Sequence, residues 1–125
     1  MIKKRVEDAI NEQINAEIYS SYMYYSMASW FDSISLDGFA HWMRVQALEE
    51  LTHVQKFTGY LVERGGRAVM KAVEAPPTDW ASPLACLEEV YAHECKVTGL
   101  VNALMDIADL LAQLGLMRRM AVAGF

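Results

Sequence analysis

The chain has 125 residues, of which 54% are hydrophobic, so it is long and apolar enough for one domain with a buried core. Its 11 basic and 16 acidic residues give a net charge of −5, which argues against nucleic acid as a partner because phosphate binding needs a basic face. No uninterrupted apolar run reaches about eighteen residues, so we expect no membrane-spanning segment.

The first predicted helix covers residues 5–32. Its inward stripe recurs at steps of three and four residues and consists of Val6, Ile10, Ile14, Glu17, Ser21, Tyr24, Ala28 and Phe31. Ser33 and Ser35 interrupt the pattern, and Asp37 with Gly38 follows as a turn or cap. At 1.5 Å per residue such a helix is about 42 Å long, a length typical of helix bundles.

The second predicted helix covers residues 36–64. One face carries Phe39, Met43, Gln46, Glu50, His53, Phe57 and Leu61. Gly65 and Gly66 end the helix, as glycines commonly do at a helix C-terminus. A hairpin of two antiparallel helices is therefore expected in the first half of the chain.

A long crossover of residues 65–82 leads to the third predicted helix, residues 83–113. Pro76 and Pro77 exclude a helix in the crossover, while Ser82 is placed to cap the third helix, with Pro83 in its first turn. The inward face of this helix is predicted to hold Leu87, Tyr91, Glu94, Val97, Val101, Met105 and Ala108. The fold class is all-α, a helical bundle forming a single domain over residues 1–125.

The two cysteines, Cys86 and Cys95, stand nine residues apart on one predicted helix and therefore point to roughly opposite sides. They cannot pair, and neither belongs to a C-x-x-C motif. Free thiols, together with a charged N-terminal run that contains no apolar signal segment, predict a cytoplasmic protein.

Carboxylates interrupt all three apolar stripes, at Glu17, Glu50 and Glu94, and His53 follows Glu50 by one helical turn. A lone Glu-x-x-His pair is weak evidence, and a single buried glutamate is often salt-bridged. Three uncompensated inward carboxylates would cost several kcal/mol each, and a pair of metal ions is the simplest compensation. Carboxylates and imidazole suit iron, with Glu17 and His53 on one ion, Glu94 on the other and Glu50 bridging them.

Two further residues have two interpretations each, and two histidines have one. Tyr24 lies on the stripe of Glu17 and serves either as a partner of a metal ligand or as an aromatic core residue. Glu49 is turned about 100° from Glu50, so it forms either a weaker third iron site or an ordinary surface glutamate. His93 and His41 lie off the stripes and are interpreted as solvated side chains.

Several longer stretches resemble the non-haem ferritins of bacteria and archaea over roughly residues 5–108. They are residues 11–22 (NEQINAEIYSSY), 38–42 (GFAHW), 49–53 (EELTH), 63–66 (ERGG), 74–78 (EAPPT) and 93–98 (HECKVT). Leu51 occupies the position at which bacterioferritins carry a haem-binding methionine, so no haem is expected.

The resemblance implies oxidation of Fe(II) by oxygen or peroxide at a di-iron centre, and storage of the ferric product in a homo-oligomeric shell of twenty-four subunits. It implies two irons per chain and assigns Glu17, Glu50, His53 and Glu94 as ferroxidase ligands. By the same likeness, Tyr24 corresponds to a tyrosine beside the centre and Glu49 to a residue of the third iron site.

The C-terminal region departs from the ferritin pattern. The fourth helix, which supplies further ligands to the second iron, is expected to be missing or replaced by a short atypical tail over residues 114–125. The tail is a truncation, an adaptation covered by another subunit, or a partial fourth helix. Without the fourth helix, an alternative function is that of a truncated iron-binding subunit or assembly module with impaired ferroxidase activity. A di-iron oxygenase acting on an organic substrate is the least favoured hypothesis.

Overall fold

The computed structural model describes residues 2–105, with the side chains of Val101, Leu104 and Met105 excepted. It contains three helices, α1 (Lys4–Ser33), α2 (Asp37–Glu63) and α3 (Pro83–Met105), and no strand within this range. The all-α prediction is confirmed, with helix ends within one residue of those expected wherever both are described. The predicted end of the third helix at 113, the tail and the fourth helix lie outside the described residues.

The C-terminal ends of α1 and α2 have the same hydrogen-bond pattern, in which a residue in the left-handed region stops the helix. After α1 that residue is Ser35, with φ 61°, and the Leu36 N–H donates to the Phe31 carbonyl at 3.0 Å. After α2 it is Gly65, with φ 78°, and the Gly66 N–H donates to the Leu61 carbonyl at 2.8 Å. The first stop makes the tight hairpin between α1 and α2.

The crossover between α2 and α3 lies along α1 and runs in the same direction. At one end Asn11 donates to the Arg67 carbonyl at 3.0 Å and accepts from the Val69 N–H at 2.8 Å. At the other end the Ser26 hydroxyl donates to the Pro77 carbonyl at 2.7 Å. The fifteen steps along α1 from Asn11 to Ser26 span about 22 Å. The eight steps from Val69 to Pro77 cover this distance only when the crossover is nearly extended. The Ser82 hydroxyl then accepts from the Ala85 N–H at 3.0 Å, which confirms the predicted cap of α3.

Two apolar clusters fill the bundle, with a polar layer between them. The cluster at one end contains Ile2, Val6, Ile10, Ile14, Phe57, Tyr60, Leu61 and Val97. The cluster at the other end contains Met23, Tyr24, Met27, Ala28, Phe31, Ala40, Met43, Ala47, Cys86 and Val90. The buried polar side chains Gln13, Glu17, Ser20, Ser21 and Glu50 form the layer between them. A buried polar layer of this kind points to a binding site, because it costs core stability.

The predicted inward faces are confirmed for α1 and partly wrong for α2 and α3. All eight predicted α1 residues are buried. On α2, Phe39 is 43% exposed and stacks on Phe31 from outside. On α3, Tyr91 is 74% exposed, whereas its neighbour Val90 is buried together with Cys86. None of the helices described is long and apolar enough to cross a membrane.

Candidate metal centre

Glu17, Glu50 and His53 meet in the polar layer. Each offers one ligand atom, and the three atoms lie within 4.8 Å of one another. The Nδ1 atom of His53 is 3.5 Å from Glu17 Oε2 and 3.2 Å from Glu50 Oε2. Glu17 is fully buried and Glu50 nearly so. Two carboxylates and an imidazole converging in a dry interior are a donor set suited to iron and similar divalent ions.

The two oxygens of Glu17 have different surroundings. Oε1 accepts a hydrogen bond from the Gln13 side-chain amide at 2.7 Å, one turn earlier on the same face of α1. Oε2 is buried and finds no hydrogen-bond partner within residues 2–105. Buried carboxylate oxygens are almost always satisfied, so this oxygen fits a bound cation.

The pKa values of Glu50 and His53 both lie well above their ordinary values. Burial raises the pKa of Glu50 to about 7, against the opposing effect of the His53 hydrogen bond. Burial also disfavours a charged His53, but the neighbouring carboxylates of Glu17 and Glu50 outweigh burial and raise the pKa of His53 to about 9. At neutral pH an imidazolium therefore partly neutralises the carboxylates in the metal-free protein, and a metal ion would replace that proton.

Glu94 approaches the layer from α3 and is half-buried. The Tyr24 hydroxyl donates a hydrogen bond to Glu94 Oε1. Burial, followed by this hydrogen bond and the charge of Glu94, raises the pKa of Tyr24 above its ordinary value, so the phenol stays protonated. The cluster of three ligand atoms within 4.8 Å does not include Glu94. Tyr24, which holds Glu94, is also near enough to the cluster for the charges of Glu50 and Glu17 to contribute to its raised pKa.

Glu49 is exposed on the outer side of α2, away from the cluster. Its assignment to a third iron site stays a prediction. His41 is exposed, as expected.

His93 differs from its interpretation as a solvated side chain. It is half-buried between α3 and α1, and burial lowers its pKa. Its Nε2 atom lies 2.7 Å from the Ser20 hydroxyl, and its ring contacts the rings of Tyr19 and Tyr24. One feature of the sequence could have indicated this contact. Ser20 is a small polar residue that follows Glu17 by three positions and so lies next to the buried stripe.

Residues 7–114 match the protein family described as a ferritin-like domain. Over 108 residues, the chain is 44% identical to a bacterial non-heme ferritin of Bacteroides fragilis, and the match covers 86% of this chain and 68% of that relative. A bacterial non-heme ferritin of Escherichia coli is 34% identical over 108 residues, covering 86% of this chain and 66% of the relative. The chain thus spans about two thirds of the length of these relatives.

Solved structures show the same likeness. The structure of a novel open pore ferritin from the hyperthermophilic archaeon Archaeoglobus fulgidus is similar with a TM-score of 0.94 at 46% identity, covering 99% of this chain and 78% of that chain. A Chlorobium tepidum ferritin is similar with a TM-score of 0.93 at 31% identity, again covering 99% of this chain and 78% of that chain.

Proposed function

The chain belongs to the ferritin-like family, and on that premise we propose that it binds and oxidises Fe(II) at the polar layer and takes part in iron storage. The observation that carries the proposal is the cluster of Glu17, Glu50 and His53, in which a buried carboxylate oxygen lacks a partner and faces an imidazole.

In this function Fe(II) is the substrate, and the protein supplies ligands and a dry pocket. Glu17 and His53 bind one iron, Glu94 binds a second, and Glu50 bridges them. Binding at His53 Nδ1 displaces the proton that the metal-free cluster holds there. Each Fe(II) gives one electron to oxygen or peroxide, and the paired carboxylates stabilise the higher charge of Fe(III).

Tyr24 is the fifth residue of the proposed site. Its phenol is fully buried and protonated, and its hydroxyl holds the carboxylate of Glu94. In this position Tyr24 orients a ligand of the second iron and lies close enough to the centre to donate an electron to it.

We further propose a homo-oligomer, by family likeness a shell of twenty-four subunits, in which the ferric product is stored without haem. Large apolar side chains remain on the surface of the single chain, among them Leu48 and Val62, which are 66% and 65% exposed. Exposed apolar surface of this kind favours association. The cytoplasm is the proposed compartment, because Cys86 and Cys95 are both free thiols.

The decisive experiment is stopped-flow measurement of Fe(II) oxidation. Glu50→Ala and His53→Ala are expected to abolish the fast phase, because each removes a ligand from the cluster. His41→Ala is the matched control, since His41 is an exposed histidine of the same helix and should keep the wild-type rate. Wild-type oxidation rates in both cluster variants would refute the proposed site.

A second candidate function is iron binding with little turnover, in a truncated subunit or assembly module. It is favoured by the position of Glu94, which lies outside the three-ligand cluster formed by α1 and α2. Anaerobic Fe(II) titration separates the two candidates. Two Fe(II) per chain with oxygen consumption on aeration support the ferroxidase, whereas one Fe(II) per chain without oxygen consumption supports the binding subunit. Sedimentation velocity would show whether the shell forms.

A further inference from the structure

His93 and Glu94, consecutive on α3, contact two residues of α1 that stand one turn apart. The Nε2 atom of His93 lies 2.7 Å from the Ser20 hydroxyl, while Glu94 accepts the hydrogen bond of Tyr24. The His93 and Tyr24 rings also meet edge to face, with centroids 5.7 Å apart and planes at 83°. The four side chains form a continuous chain of contacts from Ser20 through His93 and Tyr24 to Glu94.

The hydrogen bonds of Ser20 determine which nitrogen of the His93 ring carries a hydrogen. The Ser20 hydroxyl has one hydrogen, which it donates to the Ala16 carbonyl at 2.9 Å. It therefore accepts from His93, whose Nε2 atom must carry a hydrogen. Because Ser20 is itself fully buried, the imidazole is anchored to a rigid part of α1.

The anchored imidazole leaves Tyr24 little freedom. The Tyr24 ring is completely buried, and the edge-to-face contact with His93 sets its tilt. The tilt of the ring in turn determines where its hydroxyl lies, and the hydroxyl holds Glu94. A change at Ser20 would thus reach Glu94 through two intervening side chains.

We propose that His93 is a positioning residue of the iron site: anchored by Ser20, it orients Tyr24 and so holds the Glu94 carboxylate in place for the second iron. The part concerning iron rests on the proposed function of Glu94. The part concerning Tyr24 is a property of the metal-free protein and is tested separately.

The first measurement is ultraviolet resonance Raman spectroscopy of the metal-free protein, in which the tyrosine C–O stretching frequency reports hydrogen bonding of the phenol. The Tyr24 signal is obtained as the difference between each protein and its Tyr24→Phe counterpart. Ser20→Ala and His93→Leu are expected to shift this signal. Ser29→Ala and His41→Leu, exposed residues of α1 and α2, are the matched controls and should leave it unchanged.

An unchanged Tyr24 signal in Ser20→Ala, with helix content preserved by circular dichroism, would overturn the proposal. Ser20→Ala removes only a hydroxyl, so it decides the question even where His93→Leu fails to fold.

The second measurement is anaerobic titration with Co(II), a divalent ion that is not oxidised under these conditions. Ser20→Ala is expected to weaken the second Co(II) site about tenfold, the loss typical of an outer-shell partner, and to leave the first site unchanged. In the Tyr24→Phe background, Ser20→Ala should cause no further loss. An equal loss in that background would refute transmission through Tyr24. A wild-type protein that binds a single Co(II) would refute the role of Glu94, and the Raman result alone would then decide the positioning of Tyr24.

Discussion

Replacing Glu17 by glutamine should have opposite effects on the metal-free and the metal-bound protein. Glu17 is fully buried, and in the metal-free cluster two carboxylates share one imidazolium. Glutamine has nearly the same shape, removes one negative charge and retains an oxygen that can accept the bond from Gln13. His53 keeps its closer partner, Glu50, at 3.2 Å.

Glutamine puts an amide N–H in place of the unsatisfied Oε2 atom, and the neighbouring Glu50 carboxylate can accept its hydrogen bond. A buried polar group without a partner costs about 1–3 kcal/mol. Glu17→Gln should therefore raise the unfolding free energy of the metal-free protein by about 1–2 kcal/mol at pH 8, a shift of several degrees in the melting temperature. With metal at a hundred times its dissociation constant, the wild type gains about 2.7 kcal/mol, whereas the variant, lacking one ligand, gains little. The order of stability is then reversed.

The assay is thermal unfolding at pH 8, first with a chelator and then with excess Co(II). Glu88→Gln, at an exposed position of α3, is the control for loss of a negative charge alone and should follow the wild type in both conditions. A Glu17→Gln protein that is less stable than wild type without metal, or equal stabilisation of both proteins by Co(II), would contradict the predicted reversal.

Three further predictions concern pH, a turn and the core. The folded-state pKa values of Glu50 (about 7) and His53 (about 9) exceed their ordinary values, so the folded protein retains protons that the unfolded chain releases. The melting temperature of the metal-free protein should therefore fall between pH 5 and pH 9 as Glu50 and His53 lose their protons, whereas the affinity for Co(II) should rise over the same range. A melting temperature and a Co(II) affinity that both stay constant would contradict this prediction. Ser35→Gly should stabilise the protein by about 0.5 kcal/mol in urea unfolding, because Ser35 has φ 61° and glycine adopts this conformation without steric cost; a loss of stability would contradict the strain argument. Phe57→Ala should cost about 3–5 kcal/mol in the same assay, since the ring is 1% exposed within the core, and a cost below about 1 kcal/mol would place Phe57 outside it.

The sequence predicted the fold and the convergence of Glu17, Glu50 and His53 because both depend on local spacing. The α1 helix has one apolar side and one polar side, so apolar residues at steps of three and four identify its buried face. Likewise, the Glu50 and His53 spacing forces both side chains to the same side of α2. The resemblance drawn from the motifs is confirmed, and the match to the family reaches residue 114.

The face of α3 was harder to predict because apolar residues surround its first turns. Leu84, Cys86, Leu87, Val90 and Tyr91 offer more than one plausible stripe, and packing against α1 selects Cys86 and Val90. The surroundings of the ligands were also missed. Gln13 and His93 acquire their roles from distances between side chains, which periodicity does not contain.

The three residues of the cluster all lie in the α1–α2 hairpin, between positions 17 and 53, and this arrangement has a consequence for synthesis. Both helices of the hairpin, joined by a connection of three residues, are complete by residue 63, and α1 packs mainly on α2 rather than on α3. Chains fold from the N-terminus as they emerge from the ribosome. Glu17, Glu50 and His53 can therefore come together before the crossover and α3 have been translated, whereas Tyr24 can hold Glu94 only after α3 docks.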